Sequence, residues 1–548
     1  MSDGKRMRLL LLILSILLFA VLISLRSNPR YSMLLEGKEK LDEIIATRTA
    51  ADNLLKELRF NQHVLPYDAQ TRTFYYSIPE SGRSRFDPLV SWEGSEKGVS
   101  LSFFGQSFSQ LGMQKNKRYE FAAYTDSSYT VYGLILTSLP VITIRTENDD
   151  VSPERPIGEE DIMVQFWLYD NRANATVYQR NISTLAKMHI RGGSSRAYPK
   201  NSYKISLKQV SLGGNIRNNH VSLLGMEQDD DWILYAAYND PERMRNTFSN
   251  YIWYQMGTQR ENFGMVAGTM GKFVELIIND RYWGIYVLMR PIDSKSLRLA
   301  EKTTLTKQEY QYRSISWKQT TSRDFLNAGE KNVVGRFEIR YPKDSTDPCK
   351  WDPLVQWLRI FEADDNNFVK ELFEMGDKKN LIDYWIFLNL TLAVDNDGKN
   401  TNYTAKWIDG RYHMILDPWD LDLTWGNLWD GKLPLLSKID LNTKRIVSGS
   451  VTGVPRALEL GVDGLIEDIQ QRYTYLRQTV LSDRAVEEIL SEYQTDVYGS
   501  GAILRDKERW PVSAYSETPD AFFEFVRQRF IQMDLYVAGL GEGTDDVR

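Results

Sequence analysis

The chain has 548 residues, of which 42% are hydrophobic and 12% aromatic, so it is neither disordered nor fibrous and is too long for one ordinary core. Its formal net charge of -6 is mild, and no Lys/Arg stripe with interleaved exposed aromatics runs along it, so no nucleic-acid partner is expected. A single cysteine, Cys349, excludes an intrachain disulfide and a cysteine-based zinc cluster, and the four scattered histidines argue against a histidine-based metal site or triad.

In chain order, residues 1–8 read as a short basic tail on the cytoplasmic side. The run LLLLILSILLFAVLISL, residues 9–25, carries no charge over 17 positions. That length gives roughly 25 Å of helix, near the lower limit for a bilayer. No small-x-small cleavage site follows, so a retained single-pass anchor is preferred over a cleaved signal, with the bulk of the chain outside the cytoplasm. Residues 33–60 have apolar positions at helical spacing and are predicted as an amphipathic stalk helix. Short strand-like runs over 66–147 predict a small β-rich unit, and the polar, proline-containing segment after it marks a connection.

Residues 148–348 are the richest in signals. MHIRGGSSRAYPKNSYKISL predicts two strands around a Gly-Gly-Ser-Ser turn, with Tyr203, Ile205 and Leu207 alternating against Lys204, Ser206 and Lys208. Asn239 or Asp240 is placed to cap a helix starting at Pro241. KFVELIINDRYWGIYVLMRPID then predicts a hairpin turning at Asn279-Asp280.

Residues 349–548 are largely helical. A helix with Leu381, Tyr384, Trp385, Leu388 and Leu392 on one face leads into DNDGKNTNYTAKWIDGRYHMILDPWDLDLTWG. Asp409-Gly410 suits a type I′ turn, so this hairpin folds the loop with Asp395, Asp397, Asn400 and Asn402 back toward Asp420 and Asp422. Gathered carboxylates repel unless a cation sits among them, and one or two carboxylates with an amide oxygen and phosphates suit Mg²⁺. Asp397 and Asn402 are five residues apart, as are Asp395 and Asn400, so two registers are open. The order helix, Asp/Asn loop, hairpin, Asp is also that of protein kinases. An acid pair satisfied by Arg or backbone N–H groups is the alternative.

On these residues, and on LPVITIRT, RGGSSRAYPKNSYKISL, DWILYAAYNDPERMRN and VELIINDRYWGIYVLMRPID, the chain resembles the CotH kinase-like family over roughly residues 138–530. The resemblance implies an α+β, atypical protein-kinase-like two-lobed fold, with antiparallel hairpins in an N-lobe (148–348) and a helix-rich C-lobe (349–548). It further implies transfer of phosphate from ATP, with Mg²⁺, to Ser/Thr acceptors of a protein substrate. Asp397 would be the catalytic aspartate, with Asp395 in the other register, while Asn402, Asp420 and Asp422 would serve the metal. Arg191, Gly192, Gly193 and Ser194 would form the phosphate-facing turn, Lys204 the ATP lysine, Arg245 a nucleotide-facing position and Met289 the hinge beside the adenine. Arg290 departs from the acidic residue common after that strand. A catalytically silent surface protein, or a relative that transfers the nucleotide instead, are the competing expectations.

Overall fold

The computed structural model describes residues 31–541, apart from 33–34, 37, 62, 79–87, 105–117, 148–151, 171–180, 212, 266, 304–305, 344 and 428–446. The expected tail 1–8 and anchor 9–25 lie outside the described residues; among those described, no helix is long and apolar enough to cross a membrane. The architecture is mixed α+β.

The first part of the chain forms two small sheets over a core that includes Leu58, Phe60, Phe74, Phe121 and Tyr132. The helix expected over 33–60 is corrected here: it covers only Lys38–Thr47, and Leu55–Phe60 is a strand paired with Leu89–Gly94. Two long-range contacts explain the switch. The Leu54 and Leu55 N–H groups both donate to Tyr132 Oη, at 2.8 and 3.0 Å, and alternate residues Leu58 and Phe60 are buried in the core, so tertiary pairing overrides local helical spacing.

Eight strands follow in one sheet: β1 (Val141–Thr146), β2 (Ile162–Tyr169), β3 (Asn181–Arg191), β4 (Ser202–Val210), β5 (Ile216–Asn218), β6 (Asp231–Tyr235), β7 (Gly271–Ile278) and β8 (Arg281–Met289). Their spatial order is β3, β2, β1, β7, β8, β6, β4, and β4 pairs again with β3, so seven strands close into a ring with β5 appended to β4. Closure fills the interior with side chains such as Ile144, Phe166, Met188, Ile205, Trp232 and Leu276. The alternation read in β4 is observed: Tyr203, Ile205 and Leu207 are buried, and Lys204 is not. The β7–β8 turn uses Asn279 and Asp280 with φ of 50° and 54°, the left-handed pair that a two-residue turn demands. β1 belongs to this ring although it falls in the expected 66–147 unit.

Helix α1 (Arg245–Thr258) starts later than Pro241 because Arg243 adopts φ 63°, which interrupts helical geometry. Asp240 still serves the helix start, its Oδ2 accepting the Arg245 N–H at 2.7 Å. A second sheet holds β9 (Tyr310–Ser314), β10 (Val333–Val334), β11 (Phe337–Tyr341), β12 (Thr401–Ile408) and β13 (Arg411–Pro418), in the order β10, β11, β9, β12, β13. It therefore takes strands from both sides of the expected 348/349 boundary. The β12–β13 hairpin turns at Asp409-Gly410, with φ of 50° and 84°, as expected. Helix α2 (Lys378–Thr391) is buried over Asn380–Thr391, so it runs through the largest core and does not present a single apolar face.

A buried carboxylate is one of the ties between the C-terminal helices and the ring. Asp506, on α3 (Ala502–Arg509) and fully buried, accepts from Lys200 Nζ at 2.7 Å, Arg243 Nε at 3.0 Å and the Ile285 N–H at 3.1 Å. Gly284 makes room for it: φ is +112°, and a Cβ there would lie 2.1 Å from Asp506 Oδ1. Replacing Asp506 by Ala leaves two buried cations without their counter-charge. The expected loss of stability, read by chemical denaturation, is about 3–5 kcal/mol, whereas a surface carboxylate would cost well under 1 kcal/mol.

Candidate functional site

A cleft of about 990 Å³ lies between the ring and the five-stranded sheet. Its floor is built by the loop after α2. Leu392 ends that helix in the left-handed region at φ 53°, and residues Val394–Asp397 make a single 3-10 turn. Buried Asn396 staples the loop to the end of the hairpin, its Nδ2 donating to Asn400 O at 2.9 Å and Trp419 O at 2.8 Å. The Trp419 N–H donates in return to Asn400 O at 2.9 Å.

This geometry decides between the two registers. With three residues per turn, side chains two apart in a 3-10 turn point to different sides. Asp395 lines the cleft, its Oδ1 accepting from Trp317 Nε1 at 3.1 Å and its Oδ2 from Asn400 Nδ2 at 2.8 Å and Lys399 Nζ at 3.3 Å. Asp397 does not line it. Its carboxylate caps the Ser450–Thr452 turn, accepting from the Gly449 N–H at 2.9 Å, Ser450 Oγ at 3.2 Å and the Val451 N–H at 3.4 Å. The expectation of Asp397 as the cleft aspartate is thus corrected to Asp395.

Asn402 is corrected too. It is fully buried in β12 as the direct cross-strand partner of Arg313, and its Oδ1 accepts from Arg313 Nε at 2.8 Å. The amide beside Asp420 is that of Asn400, which enters the strand at φ 54° and, with Asp395, repeats the five-residue spacing.

Asp420 and Asp422 both line the cleft. Asp420 has φ 62°, a left-handed value in a non-glycine residue that surrounding structure must enforce. Its carboxylate faces the cleft and makes no hydrogen bond or ion pair with a described residue. The residue is exposed on the solvent side, yet desolvation by the protein around it pushes its carboxyl pKa up, Arg191 and Lys399 opposing the shift and Asp395 adding to it. Asp422 accepts from Asn239 Nδ2 at 2.7 Å and is also pushed up, first by burial and then by Asp420.

The opposite wall is cationic. Arg191, Gly192, Gly193, Ser194 and Lys204 all line the cleft. Gly192 has φ +125°, and a Cβ there would meet Ser195 Oγ at 2.2 Å; Gly193 faces open space, so its backbone is accessible to a ligand. Lys204 Nζ lies 3.5 Å from Asp231 Oδ1. Arg313 and Arg340, which sequence reading did not single out, enter from β9 and β11. Neither lies in a recognisable motif; only the pairing of β9 with β12 brings Arg313 to the site.

Two expected residues lie elsewhere. Arg245 is buried on α1, pairing with Asp240 at 2.7 Å and with Glu242, its guanidinium over the Phe522 ring; it serves the helix start. Met289 sits in a small core with Ile233, Ile292 and Trp419, behind the cleft wall that Ile233, Pro291 and Ile292 form. Arg290 turns to Glu227 at 2.8 Å and Asp229 at 3.2 Å, so its charge is spent outside the cleft.

Among the described residues, the one trio of His, Cys, Asp or Glu with ligand atoms within 4.8 Å is His220, Asp229 and Asp230, where Lys295 Nζ already lies 2.5 Å from Asp229 and 2.7 Å from Asp230. Asp395, Asp420 and Asp422 are more widely spread. A set of that kind fits Mg²⁺ held by one or two carboxylates, the Asn400 amide oxygen, waters and phosphate oxygens, and does not fit an all-protein cage. The unpartnered carboxylate of Asp420 and the guanidiniums across from it are the observations that make the residues fit a magnesium-bound polyphosphate.

Carboxylates thus face guanidiniums across one cleft, beside a glycine turn. Residues 188–532, more than half of the chain, match the family model described as CotH kinase protein, and the chain belongs to that family. No curated protein matches it.

Asp417, the register partner of Asn402, lies fully enclosed beneath this floor. Its Oδ1 accepts from Trp253 Nε1 at 2.9 Å, and burial pushes its carboxyl up to about 6. Between about pH 4 and 6 the unfolded chain gives up this proton while the folded chain keeps it, so stability falls as pH rises through that window and the full penalty stands above it. From the shift it is about 3 kcal/mol. Asp417→Asn is expected to raise the melting temperature at pH 7.5 and to leave it nearly unchanged at pH 4.

Proposed function

We propose that the protein is an ATP-dependent protein kinase that uses Mg²⁺ and transfers the terminal phosphate to Ser or Thr of a protein substrate. One observation carries this reading: a single cleft sets Asp395, Asn400, Asp420 and Asp422 against Arg191, the glycine turn and Lys204. On this reading the ring with its glycine turn and the helix-rich half with its Asp/Asn loop would serve as the two lobes of a kinase-like fold. Asp420, Asp422 and Asn400 would hold the magnesium, which when bound neutralises charge on the phosphates and orients them. Ile233, Pro291 and Ile292 offer the apolar wall for the adenine.

Asp395 takes the role at the acceptor hydroxyl, orienting it and receiving its proton. Trp317 fixes one carboxylate oxygen and Asn400 the other, and Lys399 sits where it opposes charge on the transferring group. Trp317 is 56% exposed, so it also borders the path by which a protein substrate reaches Asp395. The uncharged run 9–25 supports a membrane anchor with this cleft outside the cytoplasm, acting on surface or envelope proteins.

With ATP labelled at the terminal phosphate, the full-length protein is expected to label itself or a Ser/Thr-rich protein, and Asp420→Ala to abolish labelling. Label appearing instead from ATP marked at the α-phosphate would replace phosphate transfer by nucleotide transfer. The two loop aspartates separate cleanly. Asp395→Asn is expected to lower kcat by at least about 100-fold with stability unchanged, a loss in the range of general-base catalysis. Asp397→Ala is expected to cost about 1 kcal/mol of stability, as for a lost helix cap, while kcat stays within a few-fold. The reverse result would return the catalytic role to Asp397.

A further inference from the structure

Arg313 and Arg191 both lie over the indole of Trp419, 4.8 and 5.1 Å from the ring centroid. Neither has a carboxylate partner among the described residues. Arg340 is a third guanidinium on the same wall, paired among the described residues along its own strand with Glu338 at 3.1 Å. Three like charges in one cleft disfavour each other: Arg313 is pushed down to about 9, by burial first and then by Arg340 and Arg191. Such a cluster persists where an anion completes it.

The hydrogen bonds of Arg313 sharpen the point. Its Nε is committed to Asn402 Oδ1, which fixes the plane of the guanidinium, and its Nη groups make no hydrogen bond with a described residue. Asn402 is arranged for this contact. Its oxygen also accepts from Gln311 Nε2 at 3.5 Å, whereas its own buried Nδ2 finds no acceptor among the described residues. A buried amide left half-satisfied while its oxygen holds an arginine has a positioning role, since burial without a partner is otherwise costly.

We propose that Arg313 is a phosphate-binding residue of the cleft and that Asn402 is its positioning residue. The Nη fork grips phosphate oxygens from the sheet side, with the Trp419 face supporting the cation, while the glycine turn and Lys204 hold the same polyphosphate from the ring side. This inference rests on the nucleotide reading above. It gives Asn402 a part in that site through Arg313, without contact to a metal.

The test is calorimetric binding of Mg-ATP, inorganic tripolyphosphate and adenosine to the full-length protein and its variants. Arg313→Ala is expected to weaken ATP and tripolyphosphate about 10- to 100-fold, the range for losing a hydrogen bond to a charged group, with adenosine unchanged. Asn402→Ala is expected to weaken the same two ligands by less, and the double variant to bind no worse than Arg313→Ala alone, because one residue acts through the other. Arg313→Lys, which keeps the charge and loses the fork, is expected to fall between and carries the test if the alanine variant does not fold. Wild-type tripolyphosphate binding in Arg313→Ala or Arg313→Lys, an equal loss for adenosine, or factors that multiply in the double variant would overturn the proposal. If the wild-type protein binds neither ATP nor tripolyphosphate, the nucleotide reading falls and takes this one with it; if it binds both and Arg313 is silent, only this one falls.

Discussion

Asp506 holds together the parts that shape the cleft. Its three donors come from different places: Lys200 follows the glycine turn, Arg243 precedes α1, and Ile285 lies in β8. Lys200 also donates to Ile285 O at 2.6 Å and lies 4.7 Å over the Tyr286 ring, and neighbouring Asn201 donates back to Tyr198 O at 2.9 Å. The phosphate-facing turn is thereby anchored at its far end to a C-terminal helix more than 300 residues away. A buried charge cluster of this kind contributes little net stability compared with a well-packed apolar one, but it fixes geometry, because any displacement leaves a charge uncompensated.

Over that fixed frame the cleft separates its charges. Asp395, Asp420 and Asp422 come from the loop after α2 and the residues after β13, and the guanidiniums of Arg191, Arg313 and Arg340 from β3, β9 and β11, with Glu338 among the latter and Lys399 among the former. Trp419 stands between the two sets, its ring under Arg191 and Arg313 and its backbone stapled to Asn396 and Asn400. The unusual backbone at Asp420 lies between two fixed neighbours: the stapled Trp419 before it, and Leu421 after it, whose N–H donates to Asn246 Oδ1 at 2.9 Å. A strained aspartate without a partner among the described residues, opposite Arg191 and Arg313, which have no carboxylate partner among them, is an arrangement that a bound metal and polyanion would relieve from both directions.

Much of this was legible in the one-dimensional pattern. Asp409-Gly410 identified the hairpin, alternation in β4 placed Lys204 on the open side, and the family blocks gave the glycine turn and Asp420. The failures have a common cause. Spacing alone permits Asp395 with Asn400 or Asp397 with Asn402, and only the 3-10 turn and the left-handed entry at Asn400 choose between them. Arg313 carries no local signature, since its place depends on β9 pairing with a strand about 90 residues later. The stalk helix failed because the Tyr132 hydroxyl and a sheet partner claimed residues whose local spacing was helical. Arg245 matched a family position, yet Asp240 and Glu242 beside it capture its charge.

The closed ring has a further meaning for the protein's life in company. Strand edges are where chains zip onto one another, and a circle of strands has no first and no last member. Among the described residues, the ring leaves the short β5 flank to offer its backbone, with Val210 and Ile216 at its border. A protein surrounded by copies of itself gains from that shape a barrier against fusing through the ring, independent of any chemistry in its cleft.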